Sequence, residues 1–358
     1  MKKILVLSKS SKGGLWIETL NRWFSNYEDI EFSYLGPSNP NLDYTFFSTK
    51  FIVNDYKDFL KNLLRITRKN DYYMIISWFF LTTVLARLVV TRKTKITSIV
   101  VGPLHLRYKV LKIVDLMTFY FHGNSRIIAT SKFIESHYLG YIPNKDLYQI
   151  YAPIDLSLDR RKTEACEPLV LQSEKIKIGM LSYIYAPKML ERRGIKNHEF
   201  FIDFCRELSA RDDRFEFFVV GGLLYEKDSW YLNKLKNSAR GLNINWIENV
   251  QNLGVYFKEI DYFIFPSLYE NLGGVYEAFN FNCKTFSSDI AGLKELVLDG
   301  RTAFTLDLSS PGKSTDKFLR ILNSDLYDGK ILKKAFSHVN EIFDKKRIEE
   351  EFKIAILE

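Results

Sequence analysis

Short runs rich in β-branched and aromatic residues alternate with helix-period runs along almost the whole chain, and the pattern occurs twice. In the first half, strands are expected at 3–7, 30–35, 51–53, 72–77, 96–101 and from Ser125 up to Ser131, with helices at 15–24, 56–68, 79–90 and 106–121. Ser131 suits the N-cap of a further helix. In the second half, strands are expected at 176–181, 215–220, 244–247, 261–265, 284–287 and 303–306. Helices are expected there at 199–208, 230–239, from about 275, and at 316–326, 330–339 and 345–356. Alternation of this kind predicts parallel sheets with helices on both faces. A chain of 358 residues has room for two such domains, each with its own core. The polar stretch 157–175, which contains Pro168, reads as a linker between domains 1–156 and 176–340.

One stretch in the second half carries the most chemistry. The strand Asp261 to Phe265 is stopped by Pro266 and Ser267, and Gly273-Gly274 then turns the chain into a helix near Val275. A strand, a glycine turn and a helix start gather free backbone N–H groups at one point, which suits a phosphate or diphosphate. Glu270 and Glu277 flank that point. Carboxylates repel phosphate, so their task is to accept hydrogen bonds from hydroxyls such as those of sugars and riboses. Phosphate and polyol together suggest a sugar nucleotide.

Charge is unevenly distributed. Residues 1–155 carry 21 Lys/Arg against 12 Asp/Glu, whereas the remainder carries 30 against 31. The basic excess of the first half fits either solvated surfaces or an anionic acceptor or membrane surface. The stretches 56–69 and 106–121 both combine basic and apolar residues, and each can be read as a membrane-facing helix or as an ordinary exposed one. The three scattered cysteines, Cys166, Cys205 and Cys283, suit a reducing compartment. The N-terminal stretch lacks a signal-peptide pattern, and the apolar run 78–90 is too short to span a bilayer. A cytoplasmic protein is expected, with peripheral membrane contact. No nucleic-acid recognition motif accompanies the basic half.

The segment Phe263-Ile-Phe-Pro-Ser-Leu-Tyr-Glu-Asn-Leu-Gly-Gly-Val-Tyr-Glu-Ala-Phe279 resembles the donor-binding signature of the retaining glycosyltransferases of family 4. The resemblance implies the GT-B architecture, two Rossmann-like domains with a cleft between them. It also implies that Glu270 orients the donor sugar and Glu277 holds the ribose. Asn271, Leu272, Gly273 and Gly274 then cradle the diphosphate. Six residues separate the two Glu, one fewer than is usual in the family. Arg193, Gly194 and Lys196 resemble the family's Arg/Lys-Gly element, whose cations stabilise the charge of the departing diphosphate. Gly13-Gly14 matches its loop after the first strand, Gly221 its nucleotide contact after the strand 215–220, and His105 the histidine beside the donor sugar. The last helix, within 341–358, is expected to cross back onto the first domain.

On this reading the chain is a retaining hexosyl- or deoxyhexosyltransferase in polysaccharide or other glycan biosynthesis. The donor is a UDP- or GDP-sugar and the acceptor a glycan or lipid-linked glycan. Metal is not required, because Lys196 and Arg193 supply the positive charge. Two alternatives remain on the same fold: a catalytically silent binding or assembly subunit, and a nucleotide-sugar epimerase.

Overall fold

The computed structural model describes residues 2–9, 15–24, 27, 29–39, 42–102, 107–167, 169, 171, 174–188, 191–248, 250, 252–324 and 326–357. The chain divides into two compact units, one formed by Met1–Asp155 with Phe343–Glu358 and the other by Leu156–Ile342.

The first unit contains β1 (Lys2–Leu7), α1 (Leu15–Phe24), β2 (Ile30–Gly36), β3 (Thr49–Ile52), α2 (Tyr56–Lys69), β4 (Met74–Ser77) and α3 (Phe80–Val89). It continues with β5 (Lys95–Val100), α4 (Lys109–His122), β6 (Ser125–Ala129), α5 (Lys132–Ser136) and β7 (Leu147–Gln149). The strands form one parallel sheet in the order β3-β2-β1-β4-β5-β6-β7. Successive residues of β1 serve opposite faces. Leu5 and Leu7 pack with Phe59, Leu63 and Ile66 of α2 and Ala86 of α3. Val6 faces Ile17 and Leu20 of α1 on the other side. The cap expected at Ser131 forms, its Oγ accepting from the Ile134 amide at 3.2 Å.

The second unit begins with α6 (Leu156–Glu164), then β8 (Ile176–Leu181), α7 (His198–Ser209), β9 (Phe215–Val220), α8 (Ser229–Ser238), β10 (Ile244–Ile247) and α9 (Leu253–Glu259). There follow β11 (Tyr262–Phe265), α10 (Val275–Asn280), β12 (Lys284–Ser287), β13 (Phe304–Thr305), α11 (Pro311–Leu322) and α12 (Gly329–Ile342). Its parallel sheet runs β10-β9-β8-β11-β12-β13. Phenylalanines dominate the core, with Phe318 set edge-on to Phe204 at 5.6 Å and to Tyr262 at 5.0 Å. Helix α11 starts earlier than its periodicity predicts, because Ser310 accepts from the Lys313 amide and Pro311 occupies the first turn.

One stretch differs in detail from the reading of the sequence. The segment read as a linker contains α6, which belongs to the second unit. Asn280 of α10 donates to Leu156 O at 3.2 Å, and Arg160 donates to the Asn280 side-chain oxygen. The final helix, α13 (Lys345–Leu357), belongs to the first unit and buries Ile348, Phe352, Ala355 and Ile356 there. Lys2 and Tyr73 both donate to Leu357 O, at 2.9 and 3.1 Å.

In both sheets strand order reverses once, between β1 and β4 and between β8 and β11. In open parallel sheets such a switch leaves a crevice at the carboxyl ends of the two strands, where ligands bind.

Candidate donor site of the second unit

The loops after β8 and β11 meet at this crevice. Ser267 Oγ and the Leu268 amide both donate to Ile195 O, at 3.1 and 2.8 Å. Asn197 Nδ2 donates to Pro266 O at 3.1 Å. These bonds tie the basic loop before α7 to the loop leaving β11. Asn197 is fully buried in the left-handed region at φ 57°. Asparagine is among the few non-glycine residues that adopt this conformation readily, so it stands where glycine would also fit.

The tie brings Lys196 and Glu270 into an ion pair in which both side chains are mostly shielded from water. The other Glu270 oxygen accepts from the Asn271 amide at 3.1 Å, and the Gly292 amide donates to Glu270 O at 3.1 Å. The Lys196 ammonium also lies 5.4 Å from the centre of the Phe265 ring. Gly273 has φ +46°, and a Cβ there would come within 2.8 Å of Glu270 Cγ and 3.0 Å of the Phe265 ring. A glycine is therefore required for the turn that aims Glu270 at Lys196. Leu272 is buried beneath the turn. Gly274 opens α10, and no side chain caps its amides.

Glu277 lies on the first turn of α10. Exclusion from water pushes its carboxyl up to about 7, and the Asp159 carboxylate adds to the shift. The Tyr276 hydroxyl, which donates to Glu277 Oε1 at 3.3 Å, and the Lys196 ammonium act in the opposite sense. A carboxyl held near 7 exchanges between hydrogen-bond donor and acceptor in the neutral range. The Tyr185 phenol is raised by burial and then by the Glu270 carboxylate. His198, immediately after Asn197, is pushed down to about 3 by burial and the Lys196 charge. It stays neutral and shares a 3.3 Å hydrogen bond with Ser182 Oγ.

Of the sequence candidates, Lys196, Glu270, Asn271, Leu272, Gly273, Gly274 and Glu277 gather around one crevice. Arg193 is exposed on the same loop, its Nη1 donating to Asn197 Oδ1 at 3.5 Å. Gly221 follows β9 at φ +129°, where a Cβ would come within 2.0 Å of Ser182 O. Gly13, Gly14 and His105 lie outside the described residues. Sequence reasoning passed over Asp159 and Tyr185. Asp159 falls in the stretch read as linker, and its approach to Glu277 depends on the docking of α6 against α10. Among the described residues no three His, Cys, Asp or Glu side chains group to hold a metal ion.

Residues 183–324 match the family model described as glycosyl transferases group 1. No curated protein sequence matches the chain. Among solved structures, Anabaena HepE in complex with UDP-glucose superposes with a TM-score of 0.77 at 14% identity, over 100% of both chains. Sucrose-phosphate synthase from Thermosynechococcus elongatus gives 0.74 at 15% identity, over 99% of this chain and 98% of that one. The lipopolysaccharide outer core galactosyltransferase WaaB gives 0.62 at 15% identity, over 100% of this chain and 99% of that one. The chain thus has the GT-B fold of two Rossmann-like units, and its second unit carries the region similar to group 1 glycosyl transferases.

Proposed function

We propose that this protein is a retaining glycosyltransferase that takes a sugar from a nucleoside-diphosphate sugar, a UDP-sugar or a GDP-sugar, and places it on a hydroxyl of a glycan or lipid-linked glycan. The observation that carries the reading is the Lys196–Glu270 pair beside the Gly273-Gly274 turn at the β8/β11 switch point. On this reading it sets a cation, amides and a hydroxyl acceptor around the space where diphosphate and sugar would meet. The similarity of residues 183–324 to group 1 glycosyl transferases supports it, as does the UDP-glucose held by Anabaena HepE.

In the proposed reaction the bond from the sugar C1 to the diphosphate oxygen breaks while the acceptor oxygen bonds to C1 on the same face. The acceptor proton passes to the leaving diphosphate. Lys196 turns from Glu270 to the diphosphate, whose charge grows as the bond breaks, and Arg193 adds a second cation. This positive charge makes the step independent of a divalent metal. Glu270, released from Lys196, accepts from hydroxyls of the donor sugar. Glu277 accepts from the ribose, and the amides of Gly273 and Gly274 hold the diphosphate. Gly13 and Gly14 are assigned to donor binding and His105 to catalysis by the resemblance alone, and Gly221 contributes a backbone contact to the nucleotide. The proposed setting is the cytoplasm, in glycan or polysaccharide assembly, with peripheral membrane contact.

The test is to incubate the protein with a panel of nucleotide sugars and simple glycans and follow nucleoside-diphosphate release, with the anomeric configuration of the product read by NMR. Release that requires the acceptor and gives a product of unchanged configuration supports the proposal. Inverted configuration would overturn the same-face step, and binding without turnover would favour a silent subunit.

A further inference from the structure

Helix α4 turns a mostly polar set inward and leaves large apolar side chains outward. Its buried residues are Asp115, Thr118, Phe119 and His122, three of them polar, and Leu116 packs partly buried against the same core as Phe119. Its outward residues include Val110, Ile113, Met117, Tyr120 and Phe121, between 52% and 71% exposed. Positions 110, 113, 117 and 120 recur at helical spacing, so they form one continuous apolar stripe. Exposed Tyr141 extends it, since the Tyr120 hydroxyl donates to Tyr141 O. Helix α2 is built in the ordinary sense, with Phe59, Leu63 and Ile66 buried and its basic residues outward. A continuous exposed apolar stripe of this kind marks an interaction surface.

The charges around the stripe select its partner. Lys109 and Lys112 lie on α4 itself, Lys112 lies 4.3 Å from the centre of the Tyr141 ring, and Arg92 lies 5.0 Å from that of Phe121. The single acid of α4, Asp115, is turned inward and neutralised by Arg87 at 2.6 Å, while Tyr138 donates to its other oxygen at 2.6 Å. The helix therefore presents apolar groups and positive charge outward, with no exposed carboxylate of its own. Two copies meeting about a twofold axis would set this cationic rim against itself. A bilayer bearing anionic lipids meets both demands, taking the apolar side chains at the headgroup boundary and the Lys/Arg among the headgroups.

We propose that the outward face of α4, formed by Val110, Ile113, Met117, Tyr120 and Phe121 and rimmed by Arg92, Lys109 and Lys112, docks the protein on an anionic lipid surface. Among the described residues no helix is long and apolar enough to cross a membrane, so the contact is peripheral. It is a property of the first unit's surface and stands whether or not the second unit transfers sugar.

The test is cosedimentation of the full chain with vesicles of phosphatidylcholine alone and of phosphatidylcholine with phosphatidylglycerol. The protein should pellet with the anionic vesicles and be released by high salt. Ile113→Glu with Met117→Glu should reduce binding by more than about tenfold, because two exposed apolar anchors become like-charged with the surface. Lys109→Glu and Lys112→Glu should each reduce it by roughly fivefold or more. Lys61→Glu with Arg65→Glu on α2 should leave binding within about twofold, because those residues lie on a helix without an apolar stripe. All these positions are off the donor site, so UDP affinity should be unchanged, which separates failure here from failure of the transferase reading. Protein that stays in the supernatant with both vesicles would overturn the proposal. So would vesicle binding that ignores the α4 substitutions, or a dimer that Met117→Glu dissociates in the absence of lipid.

Discussion

The Lys196 ammonium is ion-paired with the Glu270 carboxylate across the loops that follow β8 and β11. Each group thereby occupies the other's proposed substrate contact. On the proposed reading, donor binding exchanges this pair for a Lys196–diphosphate contact and a Glu270–hydroxyl contact. Lys196→Ala should weaken UDP by roughly 10- to 100-fold, the value of a hydrogen bond to a charged group. Glu270→Gln should leave UDP affinity unchanged or raise it, because Lys196 is freed, yet lower turnover of the sugar nucleotide. Calorimetric titration of UDP into both variants checks this, and a large loss of UDP binding in Glu270→Gln would contradict it.

Glu277 gives a signed pH dependence. Its folded carboxyl is raised to about 7 by burial first and Asp159 second, whereas the unfolded value is near 4.5. Between these values the folded state holds the extra proton, so the Glu277 contribution to stability is greatest below the unfolded value and is lost as pH rises toward about 7, while His198, held neutral down to about 3, contributes in the opposite sense up to its unfolded value. The full effect is on the order of 3 kcal/mol. Relative to the wild type, the urea-unfolding profile of Glu277→Gln should rise more steeply with pH over the segment between 4.5 and 7. Asp159→Asn should move the upper edge of that segment to lower pH. A difference between the wild-type and Glu277→Gln profiles that does not fall across the window would contradict the assignment.

Asn197 combines a left-handed backbone with a buried bond to Pro266 O. Asn197→Gly loses the bond and keeps the conformation, whereas Asn197→Ala loses both. The Ala variant should be the less stable by about 1 to 2 kcal/mol in denaturant unfolding. Equal stabilities would mean that the conformation costs nothing at this site.

Arg87 and Asp115 form a buried pair joining α3 to α4. Arg87→Met leaves Asp115 charged and buried, at a cost of about 3 to 5 kcal/mol. Adding Asp115→Asn should recover part of that loss, since no bare charge then remains. Urea unfolding of the single and double variants measures the coupling, and strict additivity would argue against a direct pair.

The fold was legible because both halves repeat a strand and helix alternation that parallel sheets require, and the strands of each core are plain apolar runs. What escaped notice depended on three-dimensional neighbours. Strand β7 has only three residues, and α6 is a polar helix whose partners on α9 and α10 are far along the chain. The donor-site stretch was readable from Glu270, the glycine pair and Glu277, all within one local turn. The pairing of Lys196 with Glu270 was not, because the bonds that join their loops run from Ile195 and Asn197 to Pro266, Ser267 and Leu268. The mostly polar inward set of α4 could be seen only once Asp115 was found facing Arg87.

The most direct measurement of the central claim is the melting temperature of the full chain across a panel of nucleoside diphosphates and nucleotide sugars, with and without Mg²⁺. A ligand that binds the folded state raises it by mass action. The account predicts a clear rise with one nucleotide and its sugar conjugate, the same with and without Mg²⁺, and reduced for UDP or its equivalent by Lys196→Ala. No rise with any member of the panel at saturating concentration would contradict a donor site at the β8/β11 switch point.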